Sequence, residues 1–269
     1  MRKINFSKAW KNHGFRFPIL GIFGVLLFQS LAAELPVPQT RLEAGGAEPL
    51  PPPARETRVI AGWHVHVSQA LLAQEPKVTA RALELLEKQL QGIVRDVPPP
   101  AVAELRKVPL YFSPEYPGVK PRAEFHPDAK WLREHGRDPA MAKGVEFTNV
   151  RIFERETDRM PNFALHELAH AYHNLVLPGG FGNPEIKAGH ARAKAGGKYE
   201  SVECWHGTGK PVTQERAYAM TNPQEFFAEN TEAFFSRSDF FPFNRAELKQ
   251  HDSETFALLE KLWDVETKP

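Results

Sequence analysis

Apolar and polar residues alternate through "TRVIAGWHVHV", residues 57–67, and a period of two predicts a β-strand. His64 and His66 fall on one face of it, Val65 and Val67 on the other. The period then lengthens. In "KVTARALELLEKQLQGIVRDV", residues 77–97, Leu83, Leu86, Leu90, Ile93 and Val97 recur three or four apart with charges between them. That is the pattern of an amphipathic helix, and Pro98, Pro99 and Pro100 end it. "VPLYF", 108–112, predicts a short buried strand. "PDAKWLREHG", 127–136, predicts a helix closed by Gly136, and "VEFTNVRIF", 145–153, another strand.

"NFALHELAHAYHNLVL", 162–177, returns to helical spacing. Pro161 suits a first turn, the next Gly or Pro is Pro178, and Leu165, Leu168, Tyr172 and Leu175 form an apolar stripe facing the core. Beyond it, "PEIKAGHARAKAGG" is a helix with a glycine C-terminus. "YESVECWHGTGKPVTQERAYAM" is two short strands around a Gly-containing turn, and "NPQEFFAENTEAFFS", "RAELKQH" and "SETFALLEKLWDV" are helices. No repeat is present. The expected class is α+β, a single domain over residues 57–269 with a small mixed sheet and a helical C-terminal part.

Composition changes the picture at the N-terminus. Arg2, Lys3, Lys8, Lys11 and Arg16 precede an uncharged apolar run at 17–28, then Ser30, Leu31 and Ala32. Residues 1–32 thus read as a secretory signal peptide cleaved near Ala32 or Ala33, with an uncleaved membrane anchor as the alternative. Residues 33–56, rich in Pro, Gly and Ala, read as a linker. A net charge of +1 over the chain argues against a nucleic-acid partner, and 42% hydrophobic residues allow a packed core. The lone cysteine, Cys204, has no partner for an internal disulfide and reads as a small buried hydrophobe. The expected location is secreted or periplasmic, with no membrane association after cleavage.

The helix at 162–177 carries the candidate chemistry. His166, Glu167 and His170 spell H-E-x-x-H. At roughly 100° per residue the two histidines share one face a turn apart, where both imidazoles can point at one metal ion. Glu167 lies about 60° from His170, beside such an ion and not on it, which suits a general base. His173 shares the face but sits about 10 Å along the axis from His166. It therefore reads as a polar neighbour or a solvent-facing residue, and a third ligand must come from elsewhere. The helix around "NPQEFFAEN" offers Glu225, Glu229 and Glu232 at i, i+4 and i+7. Either Glu225 or Glu229 can serve as ligand, leaving a carboxylate to accept the N–H of a ligating histidine. Glu225 also fits a capping box begun by Asn222, which needs no metal.

H-E-x-x-H followed some 55 residues later by a helical glutamate resembles the gluzincin metallopeptidases. "YAMTNPQEFFAE" resembles the zinc-site region of the anthrax lethal factor family of catalytic domains, with Tyr218, Thr221, Asn222 and Glu225 to Glu229 at that family's spacing. "PEIKAGHARA" and "RAELKQHD" are similar to a group of exported bacterial metallopeptidase-like proteins. The likeness covers roughly residues 163–174 and 218–235; residues 57–145 do not share it. It implies a zincin-like domain holding Zn2+ through His166, His170 and Glu225, with Glu229 behind the ligands and Tyr218 stabilising the oxyanion.

The expected function is an exported zinc metallopeptidase. Zinc polarises the scissile carbonyl and water, and Glu167 is the general base. The strand at 145–153 offers a sheet edge for an extended peptide or protein substrate. The alternatives are a catalytically inactive zincin-like binding domain and a zinc amidase acting on the cell wall.

Overall fold

The computed structural model describes residues 53–265, so the signal-peptide pattern at 1–32 and nearly all of the linker at 33–56 lie outside the described residues. Among the described residues no helix is long and apolar enough to cross a membrane.

The strand expected from the alternation at 57–67 is a hairpin. β1 (Arg55–Ile60) and β2 (Trp63–Ser68) pair antiparallel around Ala61 and Gly62. Both turn residues have positive φ, 50° and 95°, as a two-residue primed turn demands. Val65 and Val67 are buried and His64 is exposed, as the alternation requires. After α1 (Gln69–Gln74), the long helix α2 (Pro76–Asp96) buries Leu83, Leu86, Leu90 and Ile93. Pro98 stops it, but Pro99 opens a further helix, α3 (Pro99–Leu105), because a proline fits a first helical turn.

Three short strands follow: β3 (Leu110–Phe112), β4 (Ala123–Phe125) and β5 (Val145–Phe147), with α4 (Ala129–Glu134) between the last two. The sheet order is β1-β2-β3-β5-β4; β2, β3 and β5 run parallel and each edge strand pairs antiparallel. This is a small mixed sheet. Two expectations change here. The strand at 145–153 stops at Phe147, because Asn149 turns the chain into a 3-10 turn and α5 (Phe153–Arg159). It is also interior, since β4 covers it. The edge is β4, too short between Pro121 and Pro127 to show a period.

α6 (Phe163–Leu175) packs on α2 and against β4 and β5. Leu165, Leu168 and Tyr172 are buried as expected, but Leu175 is 40% exposed, where the helix runs past the core. α7 (Pro184–Gly196) ends on Gly197 at φ 69°, the left-handed position that glycine takes freely. β6 (Val202–Cys204) and β7 (Thr213–Glu215) form a separate antiparallel pair. Then α8 (Pro223–Phe235), α9 (Arg245–His251) and α10 (Ser253–Leu262) complete the helical C-terminal part. The fully buried Trp263 stacks on Tyr172 of α6 at 4.1 Å and on Phe227 of α8 at 5.7 Å, joining the two helices that carry the candidate site.

Candidate metal centre

Both helices start on side-chain caps. Asn162 accepts from the Leu165 N–H at 3.1 Å, and Gln89 of α2 accepts from the Ala164 N–H at 2.9 Å. On α8, Asn222 accepts from the Glu225 N–H at 2.9 Å, with Pro223 in the first turn. Only half of a capping box forms. The Glu225 carboxylate does not return to the cap but turns toward α6.

There it meets the two histidines. His166 Nε2 and His170 Nε2 are 3.1 Å apart; Glu225 Oε2 is 3.2 Å from the first and 3.4 Å from the second. Ligands on a tetrahedral zinc, with bonds of about 2.1 Å, lie roughly 3.4 Å from one another. The triangle fits that ion. Its chemistry fits too. The His166 Nδ1–H donates to Glu232 Oε1 at 2.5 Å, which leaves Nε2 as a lone pair. That lone pair faces a carboxylate oxygen and a second ring nitrogen, so three acceptors converge on one point and a cation resolves them.

Glu232 joins Glu229, the carboxylate expected behind the ligands: Glu229 Oε1 is 3.5 Å from His166 Nδ1, and its Oε2 accepts from Ser238 at 3.4 Å. Glu229 and Glu232 stand within roughly 40° and 20° of Glu225 around α8, and the packing of α8 on α6 brings Glu232 the closer to His166 Nδ1.

Glu229 and Glu232 are buried beside Asp239, which pairs with Arg159. Burial, with Asp239 and Glu232 nearby, holds the Glu229 carboxyl well above the ordinary range. Burial likewise pushes Glu232 up to about 7, against the pull of its His166 bond. Burial opposes a positive charge on His166, yet the carboxylates of Glu225 and Glu232 facing its two nitrogens favour one strongly, the same field that a cation at Nε2 would meet. Glu225 is held low by His166 and His170 in spite of its own burial. The field at this point is negative and favours a positive charge.

Glu167 stands beside the triangle. Its Oε2 accepts from the Phe125 N–H of β4 at 2.8 Å, so the sheet edge fixes the carboxylate. The backbones of Arg122 and His126 bond toward β5. Strand alternation then turns the N–H and C=O groups of Ala123 and Phe125 the other way, into the cleft. That cleft holds about 660 Å³ and is lined by His166, Glu167, His170, Tyr218 and Glu225, with β4 along one side and Asp239 and Phe240 on another. Tyr218 lies in a 3-10 turn, 47% exposed, and its hydroxyl has no hydrogen-bond partner among the described residues. Burial and then Glu225 push that phenol up, so it remains a donor at neutral pH.

The histidines, Glu167, Tyr218 and Glu225 thus come together in one cleft, while His173 does not join them. It is fully buried between Phe181 and Phe227 and is not solvent-facing. Phe125, Arg159 and Asp239 carried no sequence signal; each comes from a short or irregular segment. No protein-family model, curated protein or solved structure matches this chain.

Proposed function

We propose that this protein is a zinc-dependent metallopeptidase with a zincin-like domain, similar around its site to the gluzincins and to the lethal factor family. The observation that carries this reading is the triangle of His166 Nε2, His170 Nε2 and Glu225 Oε2, at 3.1 to 3.4 Å, beside a carboxylate fixed to an open sheet edge. A zinc ion held there supplies Lewis-acid polarisation to a carbonyl and to water. The chain supplies the rest. An extended peptide adds to β4 through the outward N–H and C=O of Ala123 and the C=O of Phe125, the Phe125 N–H being held by Glu167. Glu167, with one oxygen committed to Phe125, uses the other to take a proton from the attacking water and pass it to the leaving amine. Tyr218 donates to the oxyanion as it develops. The basic, apolar and small-residue pattern of residues 1–32 supports export to the periplasm or the medium.

The deciding experiment is Glu167→Gln in the full chain, with zinc content and peptide-library hydrolysis measured together. Zinc stays bound, because no ligand changes, while the rate falls roughly 10²–10⁴-fold for want of a proton acceptor. Near-normal hydrolysis by this variant overturns the reading.

A further inference from the structure

A second group of metal-binding side chains lies outside the cleft. In the β6–β7 pair, Cys204 is the cross-strand partner of Thr213, and Val202 of Glu215. Alternation puts Cys204, Thr213 and Glu215 on one face of the hairpin. His206, two residues beyond Cys204, bends over the same face: its Nε2 is 2.7 Å from Thr213 Oγ1 and its Nδ1 is 4.0 Å from Cys204 Sγ. The Thr213 hydroxyl in turn lies 2.5 Å from Glu215 Oε1. One ligand atom from each of Cys204, His206 and Glu215 falls within 4.8 Å of the others.

We infer that Cys204, His206 and Glu215 form a second binding site, for a borderline-soft divalent ion such as zinc. The hydrogen bonds set the histidine tautomer that such a site needs. Nε2–H donates to Thr213, whose hydroxyl donates to Glu215, so the Nδ1 lone pair points at the sulfur. The gap between them has the right size. With metal–sulfur and metal–nitrogen bonds of about 2.3 and 2.1 Å, the two ligands lie roughly 3.6 Å apart at a tetrahedral angle and 4.4 Å apart in line. The observed 4.0 Å falls between these limits. Thiolate, imidazole and carboxylate together favour zinc over the hard ions calcium and magnesium.

A nucleophilic thiol is the competing use of a cysteine beside a histidine. Cys204 is only 3% exposed, so an attacking thiolate has no access to a substrate there, whereas a single ion is reached from the side of the half-exposed His206 and the exposed Glu215. The position has a consequence for the cleft. The Trp205 N–H bonds the Asp239 carbonyl at 2.7 Å, the Phe241 N–H bonds the Glu203 carbonyl at 2.8 Å, and Cys204 bridges to Phe240. A metal clip on this hairpin steadies the wall formed by Asp239 and Phe240.

The test uses the full chain loaded with zinc, and separately with cobalt(II), which reports thiolate ligation by a charge-transfer band in the near ultraviolet. Wild type holds two zinc ions per chain and shows the band. Glu225→Gln loses the cleft ion and keeps the band, whereas His206→Ala keeps the cleft ion and loses the band and one zinc. Cys204→Ser tests the sulfur itself; should its buried position prevent folding, the half-exposed His206 still decides the case. A single zinc per chain with no thiolate band overturns the second site, as does a band that survives His206→Ala. A cleft variant that loses no metal counts against the peptidase reading alone.

Discussion

Two buried clusters set histidine against glutamate, one behind the edge strand β4 and one in front of it. Behind it, Glu146 is fully buried and accepts from Tyr116 at 2.8 Å, Arg137 at 3.3 Å and His126 at 2.9 Å. Arg137 also reaches Glu124 at 2.7 Å and lies over the rings of Tyr116 and Trp131. Burial raises the Glu146 carboxyl, but bonds from His126, Ser113 and Tyr116 bring it below the ordinary value. In front of β4, acceptors outnumber donors. Glu225, Glu229, Glu232 and Asp239 share Arg159, one histidine proton and the Ser238 hydroxyl, and Glu232 Oε2 and His170 Nδ1 have no partner among the described residues. A buried network whose acceptors are all answered holds a fold together; one short of positive charge is built around something else. The first cluster staples β4 to β5, and the second faces the cleft that β4 borders.

The sharpest break of this comparison is loss of a ligand. His166→Ala and Glu225→Gln lose the cleft zinc, one ion per chain by elemental analysis, and hydrolysis together, with initial rates read on one cleaved peptide. Glu232→Gln keeps the three ligands but weakens the orientation of His166, for a loss in zinc affinity of roughly 10–100-fold. Glu229→Gln, farther from the ring, costs less than Glu232→Gln. Equal losses at Glu225 and Glu232 mean that the ligand triangle is wrongly drawn.

The satisfied cluster responds in the opposite currency. Glu146→Leu strands His126 in the interior, leaves Arg137 with Glu124 alone, and costs roughly 3 kcal/mol of stability, read as a shift of the urea midpoint. Zinc affinity of the folded fraction changes little, because no residue of the triangle touches Glu146. A large loss of metal with unchanged stability reverses the roles assigned to the two clusters.

How much of this could be read from the sequence follows from the same contrast. H-E-x-x-H and the glutamates of α8 are local patterns on long, capped helices, so their mutual faces follow from 100° per residue. The α+β class and most helices were legible for the same reason. The choice of Glu232 over Glu229 as the partner of His166 depends on how α8 crosses α6, which periodicity within one helix does not contain. The hairpin at Ala61 and Gly62 was hidden because the apolar alternation runs on through the turn. β4 was invisible at three residues, and with it the true sheet edge. Arg159 and Asp239 meet across 80 residues of sequence.

Within the cleft, Tyr218→Phe has a smaller effect than any ligand change. Turnover falls about 10²-fold while zinc content and KM hold, since the hydroxyl acts only on charge that develops in the transition state. Unchanged turnover removes Tyr218 from the chemistry and leaves it as part of the cleft wall.

The smallest expected effect is at His173, which tests whether burial without a partner, away from both clusters, is felt by the fold. The ring is fully buried against Phe181 and Phe227, and neither nitrogen has a partner among the described residues. Burial, with the positive influence of His170 and Lys187, outweighs the pull of the nearby Gly180 backbone and depresses the imidazole to about 4. An unfolded histidine titrates near 6.5. Between these values the unfolded chain binds a proton that the folded chain refuses, so stability rises with pH across that window. The contribution is complete above about 6.5 and is lost as pH falls toward 4, about 2 kcal/mol of it by pH 4.5. His173→Leu keeps an apolar ring-sized contact and removes the titration. Its urea midpoint at pH 7 stays near wild type, but its decline from pH 7 to pH 4.5 is shallower by that amount. Parallel declines for the two proteins show that His173 takes up its proton in place, through water or a local opening, and that its burial places no charge constraint on the fold.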